Sequence, residues 1–66
     1  MKNSIKVERA RKNITQEELA QKVNVSRQTI NAIETRRFVP STVLALKIAQ
    51  FFALPVEHIF ELDDKD

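Results

Sequence analysis

The sequence contains no cysteine and no glycine, and it has two prolines and a single histidine in its 66 residues. Without cysteine there is no disulfide framework. His58 has no second histidine near it, so a structural zinc site is excluded as well. Without glycine there is no glycine-rich phosphate loop. Neither a nucleophile with its base nor a paired-acid or metal constellation can be assembled from what remains. The chain is therefore not expected to be an enzyme, and no metal, cofactor or small-molecule ligand is expected. No stretch approaches the roughly 18 apolar residues of a membrane span. The opening Met-Lys-Asn-Ser lacks the apolar core of a secretory signal, so a cytoplasmic location away from membranes is the expectation.

A chain this short allows one domain, residues 1–66, with one small core. Disulfide and metal being absent, a second subunit is the remaining source of added stability. The net charge of +2 hides an asymmetry. Residues 1–56 carry ten Lys and Arg against four Glu, a balance of +6, whereas residues 57–66 carry Lys65 against five carboxylates, a balance of −4. A basic body suits a polyanion, and an acidic end should point away from it.

The two prolines, Pro40 and Pro55, fall at helix boundaries, so the segments between them read as unbroken helices. A first helix is predicted from Ser4 to Lys12, capped by Ser4 or Asn3, with Ile5, Val7 and Ala10 as its apolar face and Ile14 following in the connection. Thr15 and Glu18 have the spacing of a capping box and open a second helix, whose Leu19, Ala20 and Val23 form a buried stripe. Asn24, Val25 and Ser26 then supply a residue tolerant of left-handed backbone, an apolar plug and a new N-cap. A third helix runs from Arg27 to about Thr35, with Ile30 and Ile33 facing in and Arg27, Gln28 and Asn31 facing out. A basic loop spans Arg36 to Pro40. Ser41 caps a fourth helix, which is apolar enough at Val43, Leu44, Leu46, Ile48, Ala49, Phe51 and Phe52 to be central. Pro55 is placed at the first position of a short fifth helix carrying Val56, Ile59 and Phe60. Met1–Asn3 and Glu61–Asp63 are candidates for a short strand pair.

The segment from Thr15 to Glu34 carries the function. Two short capped helices meet there at a tight turn, and the N-terminal half of the second stays exposed with Arg27 and Gln28 on it. Arg forks onto guanine O6 and N7, and Gln or Asn onto adenine N6 and N7. An all-α, helix-turn-helix reading head for the DNA major groove follows, with the motif at about residues 15–35.

These residues closely resemble a known pattern. Thr15-Gln16-Glu17-Glu18-Leu19-Ala20, Val25-Ser26-Arg27-Gln28-Thr29-Ile30, Ile33-Glu34, Pro40-Ser41 and Ala45-Leu46-Lys47-Ile48-Ala49 stand in the order and spacing of the phage-repressor and Cro type of helix-turn-helix, also called the xenobiotic-response-element family. The likeness covers residues 4–60. It implies a compact five-helix, lambda-repressor-like domain and a transcriptional regulator of double-stranded DNA, most simply a repressor. It also implies that Gln16, Ser26 and Thr29 hold phosphates, that Arg27, Gln28 and Asn31 face the bases, and that Arg36 and Arg37 clamp the backbone beyond the third helix. Arg9 and Glu34 correspond to a structural ion pair. The chain departs from the family at Asn24 and at Thr35-Arg36-Arg37, where relatives often carry glycine, and at Glu8, where they often carry an apolar residue.

The C-terminal apolar residues exceed what two short helices can cover. A dimer seam at about residues 51–66 is expected from Phe52, Leu54, Val56, Ile59, Phe60 and Leu62. A two-fold homodimer sets its reading helices about 34 Å apart and demands an inverted-repeat operator. A rival reading is a protein-interaction adaptor or antitoxin-like module on the same fold, which changes at Arg27 and Gln28 distinguish.

Overall fold

The computed structural model describes residues 1–66. Its elements are β1 (Lys2–Asn3), α1 (Ile5–Lys12), α2 (Gln16–Val23), α3 (Arg27–Glu34), α4 (Thr42–Phe52), α5 (Val56–Ile59) and β2 (Phe60–Glu61). The fold is thus five helices with a short antiparallel strand pair, as expected from the sequence.

The helix starts follow from side-chain caps. At α2 the Glu18 amide donates to Thr15 Oγ1 at 3.0 Å, and the Thr15 amide donates back to Glu18 Oε1 at 2.9 Å. Ser26 Oγ accepts from the Thr29 amide at the head of α3, and Ser41 Oγ accepts from the Leu44 amide at the head of α4. At α1 the flanking residue is Ser4, but Asn3 Oδ1 takes the Ile5 amide, while the Ser4 hydroxyl donates to the His58 carbonyl.

The helix ends show how a chain without glycine turns. Asn13, Asn24, Arg36 and Ala53 each follow a helix with φ between 54° and 63°, the left-handed region. Each closes a paired backbone motif. After α3, for instance, the Arg36 amide donates to the Ile33 carbonyl and the Arg37 amide to the Ala32 carbonyl. Asn24 matches the expectation from the sequence. Arg36 and Ala53 take backbone positions that favour glycine, and Ala53 does so with no polar side chain to compensate.

Twelve apolar residues form one core to which every helix contributes: Ile5 from α1, Leu19, Ala20 and Val23 from α2, Ile30 and Ile33 from α3, four from α4, and Ile59 with Phe60 from the end. α2 packs chiefly on α3, and Ala20 is fully buried between them. Val25 and Ile14 cover the core's flank.

Four expectations are corrected. Val7 and Ala10 lie exposed, because the inward stripe of α1 is Ile5 and, one turn on, Arg9. α4 is not enclosed on all sides as a central helix would be: Leu44, Ile48, Ala49 and Phe52 point in, while Val43 and Leu46 point to solvent. Pro55 precedes the first turn of α5 instead of opening it, since its ψ of 146° is extended. Phe60 leaves the helix for β2, where it pairs with Asn3 while Lys2 pairs with Glu61. The strand begins one residue early because burying Phe60 pulls the backbone against β1. Asp63 to Asp66 then form a turn of their own, closed by the Lys65 amide on Asp63 Oδ1 and the Asp63 amide on Asp66 Oδ2.

Candidate nucleic-acid interface

α3 is anchored from beneath by Ile30 and Ile33, both at most 1% exposed, so its backbone is fixed and its other face is outward. Ser26 sets the register of the first turn. Its Oγ lies 3.0 Å from Thr29 Oγ1, so two of the residues expected at phosphates form one hydroxyl pair at the helix head. Arg27 and Gln28 follow on the exposed first turn, with no fold in the chain to cover them.

The remaining expected contacts fall into two groups. Gln16, at the start of α2, bridges to α3: its Nε2 donates to Asn31 Oδ1 at 3.2 Å and to Glu34 Oε1 at 3.2 Å. Arg36 and Arg37 are exposed beyond the helix, and Arg37 is steadied by its Nε bond to Thr35 Oγ1, which itself donates to the Asn31 carbonyl. Arg27, Arg36 and Arg37 therefore place three cations around α3, on surface, where each can meet a polyanion without first being buried.

Arg9 lies behind this surface. Its Nε and Nη2 fork onto the two oxygens of Glu34 at 2.7 and 3.0 Å, and its Nη1 reaches the Ile14 carbonyl at 3.0 Å. Both side chains are mostly withdrawn from solvent, at 14% and 6% exposure. The hydrogen bonds to Glu34 raise the guanidinium above its ordinary range against the opposing cost of burial. A residue whose pKa rises on folding contributes fully at every pH below that range, so the contribution of the Arg9 guanidinium does not vary near neutrality.

Two contacts were not foreseen. Asn3 Nδ2 donates to the Ile33 carbonyl at 2.9 Å, tying β1 to the last turn of α3. Gln16 joins Asn31 across 15 residues of sequence. Neither has a local sequence signal, since one depends on where β1 meets α3 and the other on how α2 crosses it.

The residues expected at a dimer seam divide. Phe52, Ile59 and Phe60 are buried within the single chain, because the core needs them to close α4 and α5 onto β1. Leu54 and Val56 are half-buried and Leu62 is exposed. Beside Leu54 and Val56, the outward Val43 and Leu46 of α4 and Val39 of the preceding loop add to the same face. Two shallow hollows run along it and share Leu46 and Val56. The excess of apolar residues in α4 was the sequence signal for this surface.

The helix-turn-helix family model matches residues 5–59 of the chain. An HTH-type transcriptional regulator of Methanocaldococcus jannaschii is 53% identical over 66 residues, all of each chain. One of Bacillus subtilis is 46% identical, again over all of both chains. One of Archaeoglobus fulgidus is 46% identical over the whole of this chain and 93% of its own.

Proposed function

This chain belongs to the helix-turn-helix family of the phage-repressor and Cro type, whose members are DNA-binding transcriptional regulators, and we propose that it acts as a homodimeric repressor on an inverted-repeat operator. The observation that carries this reading is the first turn of α3. Arg27 and Gln28 stand there exposed, on a helix locked by Ser26 above and by Ile30 and Ile33 below. Bidentate hydrogen-bonding side chains on a firmly anchored helix head suit base-edge recognition. Arg36, Arg37 and the Ser26–Thr29 hydroxyl pair surround them and supply contacts for the phosphates.

The domain measures 31 × 22 × 20 Å, so one copy reaches one segment of major groove. A second copy seated on the face of Val39, Val43, Leu46, Leu54 and Val56 completes the operator. That face is apolar, and Leu46 stands 53% exposed between its two hollows, a projection and recesses that a two-fold axis can pair. Repression then follows from occupancy of the operator in the cytoplasm, where the DNA lies.

Selection of bound duplexes from a random pool, run on wild type and Arg27→Ala together, tests the reading. An enriched inverted repeat with half-sites about one helical turn apart, altered by the substitution, is expected. A pool without enrichment would count against sequence-specific DNA binding and favour the adaptor reading.

A further inference from the structure

We infer that the second copy sits on the outer face of α4 in one orientation, with Lys47 of each subunit against the acidic turn, Asp63 to Asp66, of its partner. The inference rests on the homodimer proposed above and adds to it which edge of the face meets which.

Leu46 and Val56 divide the face, since they line both of its hollows. Ala45, Leu46 and Lys47 follow one another around α4 in steps of about 100°, so Ala45 and Lys47 stand on opposite sides of Leu46. Ala45 lines one hollow together with Met1 and Phe60, and Lys47 lines the other together with Gln50.

The Lys47 side is basic. Lys47 and Gln50 continue into a neighbouring hollow that Lys22 also lines, and Lys12 Nζ lies 5.9 Å from the centroid of the Phe51 ring there. No carboxylate lines either hollow, and Lys12, Lys22 and Lys47 have no ion-pair partner. The Met1 side is acidic. The Met1 ammonium lies 3.5 Å from Asp63 and 3.2 Å from Asp66, so two carboxylates share one cation. Lys2 is engaged by Glu61 at 3.0 Å, and Lys65 is the other cation of the turn. Asp64 is exposed and unpaired.

An apolar strip with opposite charges on its two edges is complementary to itself. A partner of one sign would be attracted at one edge and repelled at the other. A second copy turned about a two-fold axis that runs along the Leu46–Val56 line lays each edge on its opposite, so the contact of Lys47 with the acidic turn is made twice. The other two-fold pairing, about an axis across that line, sets lysine on lysine and carboxylate on carboxylate, and like charges facing one another disfavour it. Apolar burial holds the pair together, and the edges choose between its two registers.

Sedimentation equilibrium on wild type, Lys47→Glu, Asp64→Lys and an equimolar mixture of the two variants tests the orientation. Both residues are exposed, so neither substitution touches the core. Each substitution enters a symmetric dimer twice, and each variant alone is expected to dimerise at least about tenfold more weakly than wild type. The mixture is expected to recover to within about threefold, because both contacts across the mixed dimer again join opposite charges. Overall charge would act differently: Lys47→Glu takes the chain from +2 to 0 and Asp64→Lys takes it to +4, so its effects on the two would have opposite signs. Sodium chloride raised from about 0.05 M to about 0.5 M should weaken the wild-type dimer by several fold. Variants that dimerise like wild type, a mixture no tighter than its components, or a wild-type dimer that salt does not weaken each overturn the orientation while the homodimer survives. A wild type that forms no dimer overturns both, and an enriched operator in the random-pool selection would still leave DNA binding standing.

Discussion

The Arg9 guanidinium and the Glu34 carboxylate meet in a two-bond fork across 25 residues of sequence, joining α1 to the last residue of α3. Removing Arg9 leaves Glu34, at 6% side-chain exposure, without its counter-charge. Arg9→Ala is expected to destabilise the domain by about 3 kcal/mol, measured by urea unfolding. Arg9→Lys should lose most of the same amount, since an ammonium cannot span both Glu34 oxygens and the Ile14 carbonyl together. A change under about 0.5 kcal/mol for either would show that the pair is solvated in solution.

The left-handed residues after α3 and α4 lack the glycine that such backbone favours. Ala53, at φ 56°, carries a Cβ where none is tolerated well, so Ala53→Gly should stabilise the fold by up to about 1 kcal/mol. Thermal unfolding is the check, with an upward shift of several degrees expected for a domain of this size. Loss of stability would mean that the added freedom of the unfolded chain outweighs the relieved strain.

Arg27 and Arg37 should differ in what their loss does. Arg27→Ala should relax the preference at particular base pairs by about 1–3 kcal/mol, seen in competition between matched and mismatched duplexes. Arg37→Ala should weaken all duplexes alike. If each subunit neutralises about four phosphates, log K against log salt falls with a slope of roughly −7, and Arg37→Ala should make that slope shallower by about two for the dimer. Equal, sequence-independent losses from both substitutions would remove the distinction.

The outer face of α4 provides a test of assembly that leaves the core alone. Leu46 is 53% exposed in the single chain, so Leu46→Glu should keep the monomer folded while turning a dimer into monomers in sedimentation equilibrium. Binding to the full operator should fall, with binding to one half-site little changed. A dimer that survives Leu46→Glu places the seam elsewhere, with exposed Leu62 the next residue to change.

The helix-turn-helix was legible in the sequence because its signals are local. Thr15 with Glu18, Asn24 with Ser26, and the Ile30–Ile33 spacing each act within a few residues, and each appears in the structure as read. What was not legible depends on packing between distant segments. Val7 reads as apolar and inward until Arg9 takes the inward face of α1 to reach Glu34. Phe52, Ile59 and Phe60 read as surplus to one small core until β1 and α5 close over them. The exposed pair Val43 and Leu46 was visible only as an excess of apolar residues, with no periodic signal to say which side of α4 would be left over. The link from Gln16 to Asn31 needs the crossing of α2 and α3 and could not be read along the chain.

The helices of this domain are short: eight residues each in α1, α2 and α3, eleven in α4 and four in α5. In isolation, segments under about 12–15 residues do not hold a helix in water. A synthetic peptide spanning residues 15–35 would therefore be a fluctuating coil with Arg27 and Gln28 pointing nowhere in particular. The reading surface exists only while Ile5, Phe52 and Phe60 hold the far side together. Any duplex that bound this surface would, by the same equilibrium, protect the whole chain from heat and proteases, and anything that loosens the far side would silence the near one.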